Sequence, residues 1–411
     1  MSAAGASGSR VEAPGRLLTP QMRASLIAVF LTFGNLYMVI GVIPIAVRQA
    51  TGHDSETGLV TAALAFATIV TNLLTPGLMS RRSPARLLGE SLLVASAGTA
   101  ILAAWDGSFP LLLAGGTLQG LGLGVSLVIG VSLITSLAPP GRRTLAVGIY
   151  GVAAGMPAVL GPPFALWLLS AFGLRTALGV ACGLGLLAVA ASTAVRGGTG
   201  VEPTPTHGFR AALRSPTVVA LFGSFALVTF TFGALLTVIP LSLPRVGLTS
   251  AATFLLVFGA ARLLARPGIG VIGARVTNER LYLPGLLSAL AGAALLAESR
   301  AAVSLFIAAV LLGLGFGAFM SASYIGMLEG IARRDDAVVS SLWNFAFDGG
   351  VGCGAIAAGA LAGAFGYGFV RWLMPVTMTL ATIVIVITSR PRSRGSRPAP
   401  EAGPLRDGQG V

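Results

Sequence analysis

The sequence predicts an all-α membrane protein whose twelve transmembrane helices form two six-helix bundles. Composition is the first reason: the 411 residues are 55% hydrophobic and 10% charged, with a mean hydropathy of +0.87, whereas about a quarter of the residues in soluble proteins are charged. The second reason is that the apolar residues form long runs separated by short arginine-containing stretches. The third is an internal repeat with an offset of 193 residues.

Twelve apolar runs are long enough to cross a bilayer, because about 20 helical residues with a rise of about 1.5 Å each span the hydrocarbon layer. We place the predicted spans at 24–47, 57–79, 87–105, 110–137, 144–170, 174–195, 216–240, 249–272, 281–298, 302–328, 338–364 and 370–388.

Hydrophilic stretches divide these spans into domains. Residues 196–215, RGGTGVEPTPTHGFRAALRS, are rich in proline and glycine and separate six spans from six. Residues 1–22 lack the continuous apolar core of a signal peptide, and residues 389–411 are rich in proline, arginine and glycine. We therefore predict two disordered cytoplasmic tails at these ends, an N-terminal bundle over 23–195, a cytoplasmic linker over 196–215 and a C-terminal bundle over 216–388.

The arginines indicate how the spans are oriented. If both termini are cytoplasmic, most arginines lie on the cytoplasmic side, as the positive-inside rule requires. The outer side then holds only Arg48, Arg175, Arg245, Arg300 and Arg371. We therefore predict a multi-pass protein of the plasma membrane with both termini in the cytoplasm. The net charge of +13 then reflects topology, and no nucleic-acid partner is expected.

Asp348 is the only carboxylate deep inside an apolar run, VVSSLWNFAFDGGVGCGAIAAGALAGA. A charge at the bilayer centre costs roughly 2.5 to 3.5 kcal/mol, so an acid in this place indicates a functional site. Arg262 lies at a similar depth in the eighth span. The two could form a proton switch that opens and closes with conformation, a permanent ion pair between the two spans, or no contact at all. Arg262 could instead face an anionic substrate, and Arg266 is expected to reach the lipid headgroups.

The internal repeat is nearly free of gaps. An offset of 193 residues takes Gly77 and Arg82 to Gly270 and Arg275, Gly120 to Gly313, Gly161 to Gly354, and Phe172-Gly173 to Phe365-Gly366. Six spans per copy give both copies the same topology, the parallel-repeat arrangement of transporters whose halves rock around a site at the membrane midplane.

The loop after the second span, GLMSRRSPAR, resembles the signature loop of the Major Facilitator Superfamily. Gly77, Arg82 and Arg86 match the signature, whereas Arg81 occupies the position of its acid. The resemblance extends over essentially the whole chain and implies that this loop latches the inward gate, with Gly270 and Arg275 in its second copy. Glu90 or Glu279 could supply the missing carboxylate.

Two further motifs are similar to sequences of this family. In the fifth span, GIYGVAAGMPAVLGPP resembles the antiporter motif of exporters, and Gly148, Gly161 and Pro162 match it. In the fourth, LQGLGLG keeps Gln119, but Gly116 stands where the family has an arginine linked to proton movement. The FDGGVG and GAARLLARPGIG segments also resemble efflux members of the family. The resemblance therefore implies export more than import.

The family resemblance also implies that spans 1, 4, 7 and 10 line a central cavity. With a residue from span 11, the predicted substrate-binding side chains are Asn35, Tyr37, Gln119, Phe230, Tyr324 and Asn344. Such a cavity is mostly apolar with a few hydrogen-bonding groups, which suits a small amphipathic molecule. The alternative for each polar residue is a contact between helices.

These features predict a secondary transporter that exports a small amphipathic compound, such as a drug, an antibiotic, a secondary metabolite or a sugar-like molecule, in exchange for protons. Uptake or facilitated diffusion of a sugar or metabolite is the alternative, and a non-transporting membrane sensor is a more remote one. Its partners are the substrate, protons and the lipid bilayer, and we expect a monomer. We predict no metal, cofactor or enzyme activity, because Cys182 and Cys353 lie in separate apolar runs, His53 and His207 lie in loops, and no phosphate-binding loop is present.

Overall fold

The computed structural model describes residues 18–79, 81–139, 142–195, 212, 214–244, 247, 250–273, 279–298, 301–330 and 336–388. The regular structure in these ranges is entirely helical. Most of the predicted linker, the C-terminal tail and the first 17 residues lie outside them.

Eleven helical elements account for all twelve predicted spans. They are α1 Pro20–Thr51, α2 Leu59–Met79, α3 Pro84–Ala103, α4 Phe109–Leu137, α5 Arg143–Phe172, α6 Leu174–Ser192, α7 Pro216–Ser242, α8 Ala251–Gly273, α9 Glu279–Glu298, α10 Ala302–Glu329 and α11 Asp336–Thr388. A 3₁₀ turn, Asp54–Glu56, precedes α2.

Gly366 breaks α11 into the two arms that the sequence predicts. Its φ of 79° and ψ of 165° are not helical, so we call residues 336–365 the first arm and residues 367–388 the second. By length and composition, nine stretches of the described residues could cross a membrane. This number is smaller than twelve because α11 counts once, the apolar segment of α9, Tyr282–Glu298, is shorter than the others, and α8 is not among the nine.

The same backbone conformation occurs 193 residues earlier. Gly173, between α5 and α6, has a φ of 85° and a ψ of 172°, close to the angles of Gly366. A positive φ with extended ψ is open essentially only to glycine. Both halves therefore make the same glycine turn between their fifth and sixth helices.

Close helix contacts repeat with the same offset. A Cβ added to Gly161 would lie 2.8 Å from the Cβ of Tyr37, and one added to Gly354 would overlap the carbonyl oxygen of Phe230. Both members of the second pair lie 193 residues after those of the first. Small residues at these positions let α5 pack on α1 and α11 pack on α7 in the same way. The predicted parallel repeat is thus visible in the packing.

The two halves meet through three helix pairs, α1 with α7, α2 with α11, and α5 with α8, and through the 3₁₀ turn, which contacts α11. We call the end where α1 begins and α11 ends the tail face, and the end with the 3₁₀ turn the opposite face. Residues 34–47 of α1 and 231–240 of α7, the parts nearer the opposite face, are buried on all sides. Toward the tail face both helices have exposed positions, including Phe30 and Val219.

One face of α11 shows where the halves separate. Gly352 and Ala355 pack against the first half, near Ala65 and Gly58. Asn344 and Phe345, about two turns nearer the tail face than Gly352 and on the same side of the helix, are exposed. The halves are therefore closed against each other at the opposite face and open toward the tail face.

Candidate functional site

Asp348 lies on this same face of α11, at the depth where the contact between the halves gives way to exposed residues. Its neighbour Gly349 approaches Ile69 of α2, and a Cβ on Gly352, one turn further, would lie 3.3 Å from the Cβ of Ala65. Asp348 is half-buried. In the described part of the chain, no hydrogen bond or ion pair engages its carboxylate.

The predicted ion pair between Asp348 and Arg262 is not formed in this conformation. The salt bridges among the described residues join Arg48 to Asp54 and both Arg82 and Arg86 to Glu90. The reason is the direction in which each side chain points. Phe347 contacts Phe232 inside the second half, with ring centroids 6.2 Å apart, and Asp348, about 100° further round the helix, is turned toward the first half.

Three phenylalanine rings surround the guanidinium of Arg262 instead. The Cζ atom lies 5.0 Å from the ring centroid of Phe232, 5.9 Å from that of Phe258 and 5.7 Å from that of Phe316. Arg262 is 7% exposed, and its side chain makes no hydrogen bond or ion pair to any residue that the structure describes. Cation–π contacts hold a guanidinium in place but do not neutralise its charge.

Arg266 lies one turn further along α8, on the same side of the helix. The sequence interpretation places it at the lipid headgroups, but its Nη2 donates a hydrogen bond of 3.2 Å to the Sδ atom of Met320 in α10. Its Nη1 is 3.9 Å from the position of a Cβ on Gly155 of α5, in the other half. Arg266 is therefore a half-buried residue between the two halves.

Asn35 and Gln119 meet inside the first half. The Nδ2 of Asn35 donates to the hydroxyl of Thr99 (3.0 Å) and to the carbonyl of Ala181 (2.7 Å), and the Nε2 of Gln119 donates to the Oδ1 of Asn35 (2.7 Å). All three side chains are at most 3% exposed. These contacts tie α1, α3, α4 and α6 together and occupy the amide of Asn35, which is the helix-contact alternative for these residues.

The four other predicted substrate-binding residues make contacts within their own halves. The Tyr324 hydroxyl is 2.9 Å from the Oγ of Ser340, and the Nδ2 of the exposed Asn344 donates to the Ser340 carbonyl (3.0 Å). The half-buried Phe230 lies against Gly354. Tyr37 is 9% exposed and stacks on Phe33 at 6.2 Å.

Trp343 is a residue that sequence reasoning missed. Its ring stacks on Phe225 with centroids 4.7 Å apart and on Phe347 with centroids 6.0 Å apart, and meets Tyr324 edge-on at 5.6 Å. Its Nε1 is buried without a hydrogen-bond acceptor among the described residues. Together with Phe232, these rings form a continuous aromatic path from Tyr324 to Arg262.

Of the two acids that the sequence offers to the predicted gate loop, Glu90 is the one that pairs with its arginines among the described residues. Arg82 Nη1 lies 2.5 Å from Glu90 Oε2, and Arg86 Nε lies 2.9 Å from Glu90 Oε1. Glu90 is thus the carboxylate partner that the loop lacks at Arg81. Gly77 lies in the last turn of α2, and a Cβ added to it would meet no atom within 4 Å.

The remaining predicted gating residues are described in part. Gly148 has open space around it, and a Cβ on Gly41 of α1 would lie 2.8 Å from the Cα of Pro162, so Pro162 marks a close approach of α5 to α1. Gly161 packs on Tyr37 as described above. Gly270 lies within α8, and Arg275 lies outside the described residues.

Comparison with known proteins identifies the fold. A model of the Major Facilitator Superfamily matches residues 25–304, more than half of the chain. The chain belongs to the Major Facilitator Superfamily. It is therefore a transporter of the multi-pass membrane type, as the sequence resemblance implies. No curated protein matches it.

Solved structures of other transporters share this fold. A bacterial homolog of the human lysosomal transporter Spinster, inward-facing and occupied, has a TM-score of 0.77 and 17% identity, covering 90% of this chain and 97% of that one. The POT family transporter PepTSo has a TM-score of 0.72 and 13% identity over 90% and 98%. A point mutant of the nucleoside transporter NupG has a TM-score of 0.70 and 13% identity over 90% and 100%.

Proposed function

We propose that this member of the Major Facilitator Superfamily exports a small amphipathic compound in exchange for protons, with Asp348 as the proton carrier. The observation that carries the proposal is the position of Asp348. It is an acid without a partner among the described residues, on the face of α11 where the two halves part.

An acid in this place suits coupling because its surroundings change during transport. In alternating access the tail face closes while the opposite face opens, so the exposed part of the α11 face near Asn344 becomes covered and the packed part near Gly352 becomes exposed. A carboxyl between these two parts meets water from one side and then from the other. Its affinity for a proton differs between the two states, and such a difference is what coupling requires.

The direction of transport rests on charge and on one motif. The arginine distribution predicts that the tail face is cytoplasmic, so the present conformation would take up its cargo from the cytoplasm. Gly148, Gly161 and Pro162 match the antiporter motif of exporters. The half-buried rings of Tyr324, Trp343 and Phe347 offer an apolar surface for an amphipathic cargo.

The test compares cells that produce the wild type, Asp348→Asn or Asp106→Asn. Asp106 is an exposed loop residue, so its substitution removes the same charge from a harmless place. A panel of fluorescent amphipathic compounds is loaded, and efflux is followed with and without a protonophore. We expect efflux of at least one compound that depends on the proton gradient from the wild type and from Asp106→Asn. Asp348→Asn should export no compound against that compound's concentration gradient.

Undiminished concentrative efflux by Asp348→Asn would remove Asp348 from the coupling role. Efflux that survives the protonophore in the wild type would favour facilitated diffusion. Uptake of the panel in place of efflux would reverse the proposed direction.

A further inference from the structure

Two arginines in the middle of the molecule carry positive charges that no acid among the described residues neutralises. Arg262 lies about halfway along the 23-residue helix α8, and Arg266 follows one turn later. Arg262 contacts three aromatic rings, and the Arg266 guanidinium contacts a thioether. The one acid deep in an apolar run, Asp348, pairs with neither of them.

Two unpaired guanidinium charges in the middle of a membrane protein are unfavourable unless a negative charge binds them. Arginines inside membrane proteins are rare and normally pair with an acid or a backbone carbonyl, because an unpaired charge at this depth is costly. The two guanidiniums also repel each other. An anion that bound both of them would remove this penalty, and guanidinium groups match carboxylates by paired, charge-assisted hydrogen bonds.

The surroundings of the two arginines indicate what else this anion contains. Phe232, Phe258 and Phe316 form apolar walls around Arg262. Phe232 continues through Phe347 to Trp343, with ring centroids about 6 Å apart at each step. A ligand with its acidic group at the arginines could therefore place an apolar or aromatic body along these rings.

The arginines border the contact between the halves. On the adjacent stripe of α8, Gly259 packs on Val159 and Leu263 approaches Gly155, both in α5. Arg266 itself approaches Gly155. A ligand held here would touch both halves, as a transported substrate must.

We infer that Arg262 and Arg266 bind the anionic group of the transported compound, which is therefore an amphipathic anion such as a carboxylate with an apolar or aromatic body. This inference rests on the proposed transport function and names the class of substrate that the protein moves. A lipid headgroup is the other source of an anion, but the position of Arg262 at mid-helix is far from the headgroups.

The experiment measures binding to the purified full-length protein in a neutral maltoside detergent, by the rise in Tm with ligand concentration. Three probes share one body and differ in charge: phenylbutyrate, phenylbutylamine and phenylbutanol. We expect phenylbutyrate alone to raise the Tm of the wild type. Arg262→Gln should weaken its binding at least about 30-fold, since the loss of one partner of a buried charge pair is this severe. Arg266→Gln should weaken it as well.

Arg175→Gln is the matched control, because Arg175 is exposed at the start of α6, and it should bind phenylbutyrate like the wild type. Equal stabilisation by all three probes, no stabilisation by phenylbutyrate, or full binding by Arg262→Gln would each overturn the inference. An Arg262-dependent stabilisation by phosphatidylglycerol would overturn it in favour of a lipid site. If Arg262→Gln does not fold, the probe series on the wild type and Arg266→Gln decide.

Binding is measured without a proton gradient, so the two proposals fail separately. A negative result here leaves proton-coupled export through Asp348 standing. Loss of coupling in Asp348→Asn, in turn, does not bear on the affinity of the arginines for a carboxylate.

Discussion

The hydroxyl of Tyr367 donates a hydrogen bond of 2.5 Å to the Oδ1 atom of Asp54, a residue 313 positions earlier in the chain. The same oxygen accepts from the Nε of Arg48 at 3.0 Å, and the guanidinium of Arg48 lies over the Tyr367 ring, 5.7 Å from its centroid. Arg48 and Asp54 belong to the first half and Tyr367 to the second. These three side chains therefore fasten the halves at the opposite face.

We expect Tyr367→Phe to loosen this fastening. A hydrogen bond to a charged group contributes about 1.5 to 3 kcal/mol, so its loss should raise the population open at the opposite face about tenfold or more. The reporter is a cysteine at Thr237, which is 1% exposed in the closed part of α7, in a background without Cys182 and Cys353. Its reaction with a membrane-impermeant maleimide should accelerate by the same factor.

The control is Ser304→Ala, which removes a hydroxyl that bonds only within its own segment of the chain. It should leave the maleimide reaction rate unchanged, and an equal acceleration in this variant would contradict the prediction.

A second prediction concerns the backbone contact behind this fastening. A Cβ on Gly58 would overlap the carbonyl oxygen of Ala355, and one on Gly359 would lie 3.0 Å from the amide nitrogen of Gly58. Gly58→Ala should therefore prevent closure at the opposite face and abolish transport, while each half stays folded. The Thr237 cysteine should become permanently reactive with little change in Tm. Gly179→Ala is the control, since Gly179 has open space around it. A slow-reacting thiol in Gly58→Ala would show that the contact yields.

The sequence predicts the fold well because the bilayer limits what a chain can do. Every long apolar run becomes a helix, since backbone groups in lipid must bond within their own segment. The boundaries differ by a few residues where local chemistry decides. For example, α1 begins at Pro20 and not at 24, because the Thr19 side chain accepts a hydrogen bond from the Met22 amide and Pro20 suits the first turn.

The site is predicted less completely because a sequence gives depth but not direction. Counting residues places Asp348 and Arg262 at the same level of the membrane, yet their side chains point to different surroundings. In the same way, the polarity of Asn35 shows that it needs a partner but not whether that partner is a substrate or Thr99. Gly98, next to Thr99 in the sequence, could have indicated that Asn35 bonds within the protein. A Cβ on Gly98 would overlap the backbone of Gln119, so the glycine lets α3 pack closely on α4 and brings Thr99 near Asn35.

The amide network in the first half leads to a third prediction, which separates a structural role from a binding role. Asn35→Leu should lower the Tm by several degrees, because hydrogen bonds between membrane helices contribute about 0.6 kcal/mol each on average and Asn35 bonds to partners in three other helices. Affinity for phenylbutyrate should stay within about twofold of the wild type, which is below roughly 0.5 kcal/mol. Asn344→Leu is the comparison, since this exposed amide bonds only within its own helix, and it should leave the Tm unchanged. A normal Tm with lost affinity in Asn35→Leu would restore Asn35 as a binding residue.

The fourth prediction concerns the loop at the tail face. Glu90 bonds to both Arg82 and Arg86 and supplies the negative charge that the family loop carries at the position of Arg81. Glu90→Gln should therefore lower the transport rate by weakening the latch, and the ion pairs of the wild type should weaken with salt because they are exposed.

Arg81→Asp in the Glu90→Gln protein returns a carboxylate to the family position and should recover much of the transport rate. Transport rates of the wild type and the single and double variants, measured in liposomes at low and high salt, test this. Asp106→Asn is again the charge control. A double variant no faster than Glu90→Gln would mean that the two acid positions are not interchangeable and that Glu90 acts through some contact other than the latch.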